Sequence, residues 1–552
     1  MRKSFLRPAL VLALVLSGSW PGQAGALNYT PPVSVTYLYA GNTSIYLKNL
    51  ARTRDNISIA CPDYFEVDAS GSLQLTRAVD PVFVSTAQGW GIQVVPFVSN
   101  HWNRSYGRAA LANRAALSDA LTAQVVTHNL DGIDIDIENI TEADRASFTD
   151  FIRLLRQKLP TDKYLSVCVA ANPHNWTTGW QGAYDYAALA GYVDHIFIMT
   201  YDESYAGGPA GPVSSYSFVE KSVQYALQHT TPDKILMGIP FYGRYWTADG
   251  SATGLAFTLS DIRALTARHS SVLWYDAGLQ TARATMTVSS DGNAALWGGK
   301  IVSAGVYDIW YENDDSYRAK LSLVDKYGLK GAGSWALGQE YEDVWTGYRT
   351  WIHALPYHDI AGLWAEGHIA ALYKEGIMTG SRPGYFEPQR AMTRAEAIVV
   401  LNRLLDIEPV AGAPFDDIAG HWARGHIAAA AQAGIAQGND GRFRPNDPVS
   451  RQEFCLLIDR ALWLPNTVDY NQSLFRDVSP VLTPWSNNAI VSLAVHGILD
   501  GYADGCFYPA KEITRAEAAK MIRCAGAYPL RPPVSARGRT LIAPQEPIIE
   551  PR

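Results

Sequence analysis

The stretch DGIDIDIEN, residues 131–139, sets four carboxylic acids, Asp131, Asp134, Asp136 and Glu138, among isoleucines. On an extended strand successive side chains point to opposite faces. Ile133, Ile135 and Ile137 then share one face, and Asp134, Asp136 and Glu138 share the other with Gly132. Acids crowded on one face raise each other's proton affinity. The chemistry offered is a carboxyl that keeps its proton near neutral pH and can hand it to a departing oxygen. Residues two apart lie roughly 6.6 Å apart along a strand, so Glu138 can reach a ligand with Asp136 just behind it. Asp131 has the opposite parity and suits a cap or a bond at the start of the strand. Two other readings fit acids in a row. A calcium loop needs a flexible turn with glycine at its sixth position, which the alternating isoleucines do not supply. A purely structural carboxylate network is the second.

The elements around this row repeat. Eight strand-like runs begin near Val33, Ile57, Ile92, Gly132, Tyr164, His195, Ile235 and Gly331, with helical patterns such as EADRASFTDFIRLLRQKL between them. Alternating strands and helices imply a parallel sheet. Eight units predict a closed (β/α)8 barrel, an α/β fold, with an open doubly wound sheet as the alternative. Turn-rich pieces between Arg244 and Gly331 predict a small α+β insertion before the last strand, at about residues 245–305. Barrel sites form at the C-terminal ends of the strands. There the runs end in Asp136 and Glu138, in Tyr201, Asp202 and Glu203, in Tyr242 and Arg244, and in Trp335. The third run ends at Asn100.

Composition narrows the partners. The 552 residues exceed one compact core. A net charge of −7 without basic blocks argues against nucleic acid. The 16 Trp and 30 Tyr lean toward sugar rings, although large cores use aromatics too. Residues 1–26 combine Arg2, Lys3 and Arg7 with an apolar run and a small-residue ending at Ala24–Ala26, the pattern of a secretory signal peptide. No later stretch is apolar and long enough to span a membrane. The 5 cysteines show no metal-ligand spacing. Cys61 and Cys168 read as small buried hydrophobes, and Cys506 and Cys524 are close enough in sequence to pair.

Asp-x-x-Asp-x-Asp-x-Glu on a fourth strand, with MTYD at 199–202, GIPFYGRYW at 238–246 and GAGSWALG at 331–338, resembles glycoside hydrolase family 18, over about residues 33–345. The third strand reads PFVSNHW rather than Ser-x-Gly-Gly, a departure at Asn100 that looks more like the branch containing spore-cortex peptidoglycan hydrolases. The resemblance implies a substrate-assisted reaction, in which the sugar's 2-acetamido oxygen attacks its own anomeric carbon. Glu138 would then be the acid and later the base. Asp136 would orient the acetamido group, Asp134 would support Asp136, and Tyr201 would bond the acetamido oxygen. Asp202 would help hold the distorted sugar above Trp335. Tyr242, Arg244 and Asn100 are further candidate substrate-binding residues. No metal or cofactor is implied.

The last two hundred residues change character. Three related units begin at Tyr357, Phe415 and Phe475. Trp364, Trp422 and Trp485 correspond, as do Arg394, Arg451 and Arg515. Each unit pairs an Asp, expected as a helix N-cap, with a Phe-x-Pro corner and a second helix opening Thr/Ser-Arg-x-Glu, a capping-box pattern. The units, residues 357–406, 414–463 and 474–526, resemble S-layer homology repeats. That resemblance implies an all-α, pseudo-threefold bundle that binds a pyruvylated secondary cell-wall polysaccharide, the arginines meeting its carboxylates and the tryptophans its sugar faces. Arginines that merely knit helices together are the alternative. Residues 527–552 form a proline-rich tail.

The sequence thus predicts a signal peptide (1–26), a catalytic barrel (27–350) and a wall-binding repeat region. The enzyme would be secreted to the surface of a Gram-positive-type wall and would act on N-acetylglucosamine-containing glycans. A catalytically inactive sugar-binding barrel and a structural S-layer protein are the competing readings.

Overall fold

The computed structural model describes residues 32–529, apart from residues 40, 54–55, 291–293, 296–300, 358, 361–362, 383 and 465–467. The signal-peptide segment and the tail beyond residue 529 lie outside the described residues. The chain divides into two compact units, one reaching Trp364 and the other beginning at Ala365.

The first unit is a closed parallel barrel. Its strands are β1 (Val33–Leu38), β2 (Ile59–Val67), β3 (Phe97–Ser99), β4 (Gly132–Asp136), β5 (Tyr164–Ala170), β6 (His195–Met199), β7 (Ile235–Pro240) and β8 (Gly331–Trp335). Closure is explicit, because β1 pairs with both neighbours: Val35 with Ile59 of β2, and Val33 with Gly331 of β8. Pro96, which has no N–H to give a ladder, separates β3 from a short preceding piece at Gln93–Val94. On β4 the parity argument holds. Ile133, Ile135 and Ile137 are fully buried in the layer between strands and helices. Gly132 is required there, since a Cβ would sit 2.2 Å from the Tyr164 carbonyl oxygen. Asp131 ties the base of the barrel, its Oδ2 accepting from the Val94 N–H at 2.7 Å and from Gln88 Nε2 at 3.0 Å.

The insertion is wider than 245–305. It is a five-stranded antiparallel sheet in the order Thr253–Thr258, Tyr242–Thr247, Gly305–Tyr311, Thr281–Val288 and Ser270–Asp276, with a helix at Leu259–Arg268. GIPFYGRYW is therefore two strands rather than one. The barrel strand stops at Pro240, the Phe241 N–H donates to the Trp335 carbonyl at 2.7 Å, and Tyr242 opens the new sheet. Just beyond that sheet, Lys320 and Glu312 form an ion pair with both side chains fully buried.

The second unit is helical. Each repeat has a first helix (Glu366–Lys374, Arg424–Gln432, Asn487–Val495) and a second (Arg394–Leu404, Arg451–Ala461, Arg515–Ala525). The capping boxes form as expected, pairing Thr393 with Glu396, Ser450 with Glu453 and Thr514 with Glu517. The aspartates do not cap the first helices, which begin after Ala365, Ala423 and Ser486. Asp417 instead accepts from the Phe443 and Arg444 N–H groups at 2.8 and 2.7 Å, and Asp477 from those of Phe507 and Tyr508, both at 2.7 Å. The physical reason is the corner itself. Glu387, Arg444 and Tyr508 adopt φ of 55–57°, and where Asp417 and Asp477 are seen they receive the two consecutive N–H groups that such a turn leaves open.

The arginines expected to meet the polysaccharide are engaged within the unit. Arg394 Nε donates to the Phe443 carbonyl at 2.9 Å, Arg451 Nε to that of Phe507 at 2.9 Å, and Arg515 Nε to that of Phe386 at 2.9 Å. Each guanidinium lies over that same phenylalanine ring and pairs with the next repeat's capping glutamate, Glu453, Glu517 and Glu396 in turn. Their side chains are at most 9% exposed. They staple repeat one to two, two to three and three to one. Bridges from Thr393 to Pro448, Ser450 to Glu512 and Ala391 to Thr514 close the same cycle. Replacing Arg515 with alanine is expected to destabilise this unit by about 2–3 kcal/mol, because the Phe386 and Thr379 carbonyls lose a charged donor. A urea melt of the variant checks it. All five cysteines are free, including Cys506 and Cys524.

Candidate active site

Asp134 lies at the centre of the barrel, with no exposed surface. Its register neighbour on β5 is Ser166, which donates to Oδ1. Oδ2 accepts from the Tyr37 hydroxyl at 3.0 Å and the Cys168 thiol at 3.2 Å. Burial raises the proton affinity of Asp134 and these three donors lower it again. One turn of the pleat further, Asp136 is pushed well up by burial, then by Glu138 and Asp134, with Cys168 opposing. Its Oδ1 is buried without a hydrogen-bond partner among the described residues. Glu138 is raised from 4.5 to about 8, by burial first and the Asp202 charge second. Both carboxyls thus have raised proton affinity, but for Glu138 the causes are burial and Asp202 rather than its neighbours in the row.

The other candidates close around it. Asp202 sits in the left-handed region at φ 59°. Its Oδ1 accepts from the Tyr242 hydroxyl at 2.6 Å, Arg244 Nε at 2.9 Å and Arg244 Nη2 at 2.7 Å. The neighbouring Glu203 is engaged elsewhere, accepting from the Ser215 N–H at 2.7 Å and the Ser215 hydroxyl at 3.0 Å. Tyr201 packs edge-on against Tyr242, 6.3 Å between ring centroids, and burial pushes its hydroxyl well up. Trp335 ends β8 against Tyr37 and Tyr39, at 5.3 and 5.5 Å, and the Trp335–Ala336 peptide is cis. Asn100 is the exception. It is fully buried, and its amide serves the main chain of Glu138 and Asn103, so it does not face a ligand.

Sequence reasoning missed three participants. Cys168 is not a plain hydrophobe but a donor to Asp134, in contact also with the Tyr37 hydroxyl. Ser166 and Cys168 were detectable by parity, since they are polar members of an alternating run on the face that meets the acids, whereas Tyr37 shares its face with Val33 and Val35 and was not. Exposed aromatics follow the strand ends as well: Tyr39 after β1, Trp102 after β3, Trp176 after β5 and Tyr205 after β6. Among the described residues, no group of three or more His, Cys, Asp or Glu side chains is placed to hold a metal ion.

Asp134 and Asp136 are thus buried at the mouth of a parallel barrel, with the partly exposed Glu138 beyond them and aromatic side chains around them, an arrangement that suits a glycosidase. Residues 88–340 match the model of glycosyl hydrolases family 18, and residues 356–398, 414–455 and 474–519 match the S-layer homology domain. The chain carries a family 18 glycoside hydrolase domain followed by three S-layer homology repeats. It is 26% identical over 353 residues to an uncharacterised glycosylase, YvbX, of Bacillus subtilis, covering 62% of this chain and 96% of that protein. It is 29% identical over 219 residues to a cortical fragment-lytic enzyme of Bacillus subtilis, covering 39% and 48%. Among solved structures, a chitinase from Chromobacterium violaceum superposes with a TM-score of 0.50 at 26% identity, covering 58% of this chain and 99% of that one.

Proposed function

We propose that the protein hydrolyses the β-1,4 bond following an N-acetylglucosamine residue, in peptidoglycan strands or chitin-like oligomers, with the substrate's own acetamido group as nucleophile. The observation that carries this is Asp136, whose buried Oδ1 has no hydrogen-bond partner among the described residues, next in the row to Glu138, whose proton affinity burial and the Asp202 charge push up to about 8. Glu138 protonates the leaving oxygen and then takes a proton from water. The open Asp136 oxygen receives the acetamido N–H and faces the positive charge that develops on the cyclising sugar. Tyr201 offers its hydroxyl to the acetamido oxygen, and Trp335 is the apolar floor. A protein nucleophile is disfavoured, because Asp202 is held by Arg244 and Tyr242 and Glu203 by Ser215. Digesting peptidoglycan and chitin oligomers in parallel, with mass analysis of the products, tests the substrate. A covalent adduct on Asp202 or Glu203 after treatment with a 2-fluoro glycoside, together with cleavage of deacetylated substrate, would overturn the mechanism.

The same reading includes export through the signal segment and retention on the wall by the repeats. Trp364, Trp422 and Trp485 are 57, 44 and 55% exposed, which supports them as sugar-stacking side chains. The arginines hold the frame that presents this surface. The full chain and residues 357–526 are both expected to bind purified sacculi and to lose binding once the secondary polysaccharide is stripped. Binding that survives stripping would move recognition to another wall component.

A further inference from the structure

We propose that Asn100 is a positioning residue for Glu138, clamping the main chain of the acid and joining it to the turn that carries Trp102. The inference rests on the role of Glu138 proposed above. The Glu138 N–H donates to Asn100 Oδ1 at 2.8 Å, while Asn100 Nδ2 donates to the Glu138 carbonyl at 2.9 Å and to that of Asn103 at 2.9 Å. An amide is suited to this. It offers an acceptor and two donors in one plane, so a single side chain satisfies both main-chain groups of one residue, as a neighbouring strand would. β4 ends at Asp136, so at residue 138 no ladder does this work. Gly107 leaves the room, because a Cβ there would stand 2.9 Å from Asn100 Nδ2.

A second set of bonds ties the Trp102 turn to Asn139, the residue after the acid. Asn139 Nδ2 donates to the Trp102 carbonyl at 2.8 Å, and Arg104 donates from Nε to the Asn139 carbonyl at 2.7 Å and from Nη2 to Asn139 Oδ1 at 2.8 Å. His101, Trp102 and Asn139 all lie in the left-handed region, at φ of 49, 60 and 57°. None is glycine, and such conformations persist only where the surroundings over-determine them. The result is a half-exposed Trp102 set edge-on to Trp180 at 4.8 Å. Trp180 donates to the Tyr184 hydroxyl, which itself donates to the Ile137 carbonyl, each at 2.9 Å. The two aromatics are thus tied to the residues on either side of Glu138, Trp102 to Asn139 and Trp180 through Tyr184 to Ile137. A sugar stacked on the exposed Trp102 would thereby be held in fixed relation to the segment that carries the acid.

The test compares Asn100→Ala and Arg104→Ala with the parent chain. Deuterium exchange of the peptide spanning residues 137–140, measured without substrate, is expected to rise in Asn100→Ala while the β5 and β6 peptides stay protected. On chitin oligomers or peptidoglycan strands, whichever the parent cleaves, kcat of Asn100→Ala should fall about 10²-fold, the scale of a small misplacement of a reacting group. KM for an aryl N-acetylglucosaminide should change less than about twofold, and the alkaline limb of its pH profile should move to lower pH as water reaches Glu138. Arg104 is exposed at its bonds and its loss should not unfold the barrel. Arg104→Ala should raise KM for the oligomer severalfold while leaving the aryl substrate nearly unchanged. Unchanged exchange at 137–140 in a folded Asn100→Ala, or an unaltered alkaline limb, would overturn the clamp. An unaltered oligomer KM in Arg104→Ala would overturn its link to Trp102. A parent chain inert on every glycan would refute the proposed function, and the exchange measurement would still decide the clamp.

Discussion

Glu138→Gln is expected to lose on the order of 10²–10⁴-fold in turnover while still binding glycan, because the amide fills the same space but has no proton to give. The parent should lose activity as pH rises past about 8, where the acid ionises, and the variant should show no such limb. Stability carries a second signature. Between the ordinary value of 4.5 and about 8 the folded protein holds a proton at Glu138 that the unfolded chain releases. The parent must therefore lose stability as pH rises through that window, and Glu138→Gln should show a flatter profile. Single-turnover kinetics with melts at several pH values would check both. Near-normal turnover in a folded variant would remove Glu138 from the acid's role.

Lys320→Met is expected to destabilise the barrel by about 3–5 kcal/mol, the range for leaving one member of a buried ion pair alone. Lys320 and Glu312 are both fully buried, and Glu312 Oε1 has no other hydrogen-bond partner among the described residues. Burial already raises Glu312 and lowers Lys320 in proton affinity, so each depends on the other to stay charged. Pairing Lys320→Met with Glu312→Leu should recover most of the loss, since two apolar side chains leave nothing unpaired. Denaturant midpoints of the single and double variants would measure the coupling. A single variant as stable as the parent would show that Glu312 had simply taken up a proton.

The barrel and its acid row were legible because both rest on short-range periodicity: alternation along β4, and strands recurring between helical patterns. The residues that complete the site were harder. Asn100 sits where a ligand contact was expected, but its partner is the main chain of a residue 38 positions away, which no local pattern reports. Tyr242 and Arg244 were placed on a barrel strand. They belong to the insertion, yet both reach Asp202, since the first strand of that sheet starts at the mouth. The arginines of the repeats show the opposite failure. Their recurrence in register was visible, and recurrence alone serves a ligand and a staple equally well. The bonds to the neighbouring repeat's carbonyls show the staple, which no spacing could report.

That cycle of staples bears on how the repeat unit is made. The bond from Arg515 to Phe386 joins residues 129 apart, and its companion to Thr379 spans 136. The contacts from Arg394 and Arg451 close over 49 and 56 residues. On a growing chain the first two junctions become available as each following repeat appears, but the corner of repeat one waits until the last helix has been synthesised. Non-local closure of this kind slows folding and leaves partners uncovered in the interval. An open-ended solenoid gains stability repeat by repeat. Here the final junction completes the first repeat, so a ribosome that stalled before Arg515 would release a chain with both ends of the ring unsealed rather than two-thirds of a finished anchor.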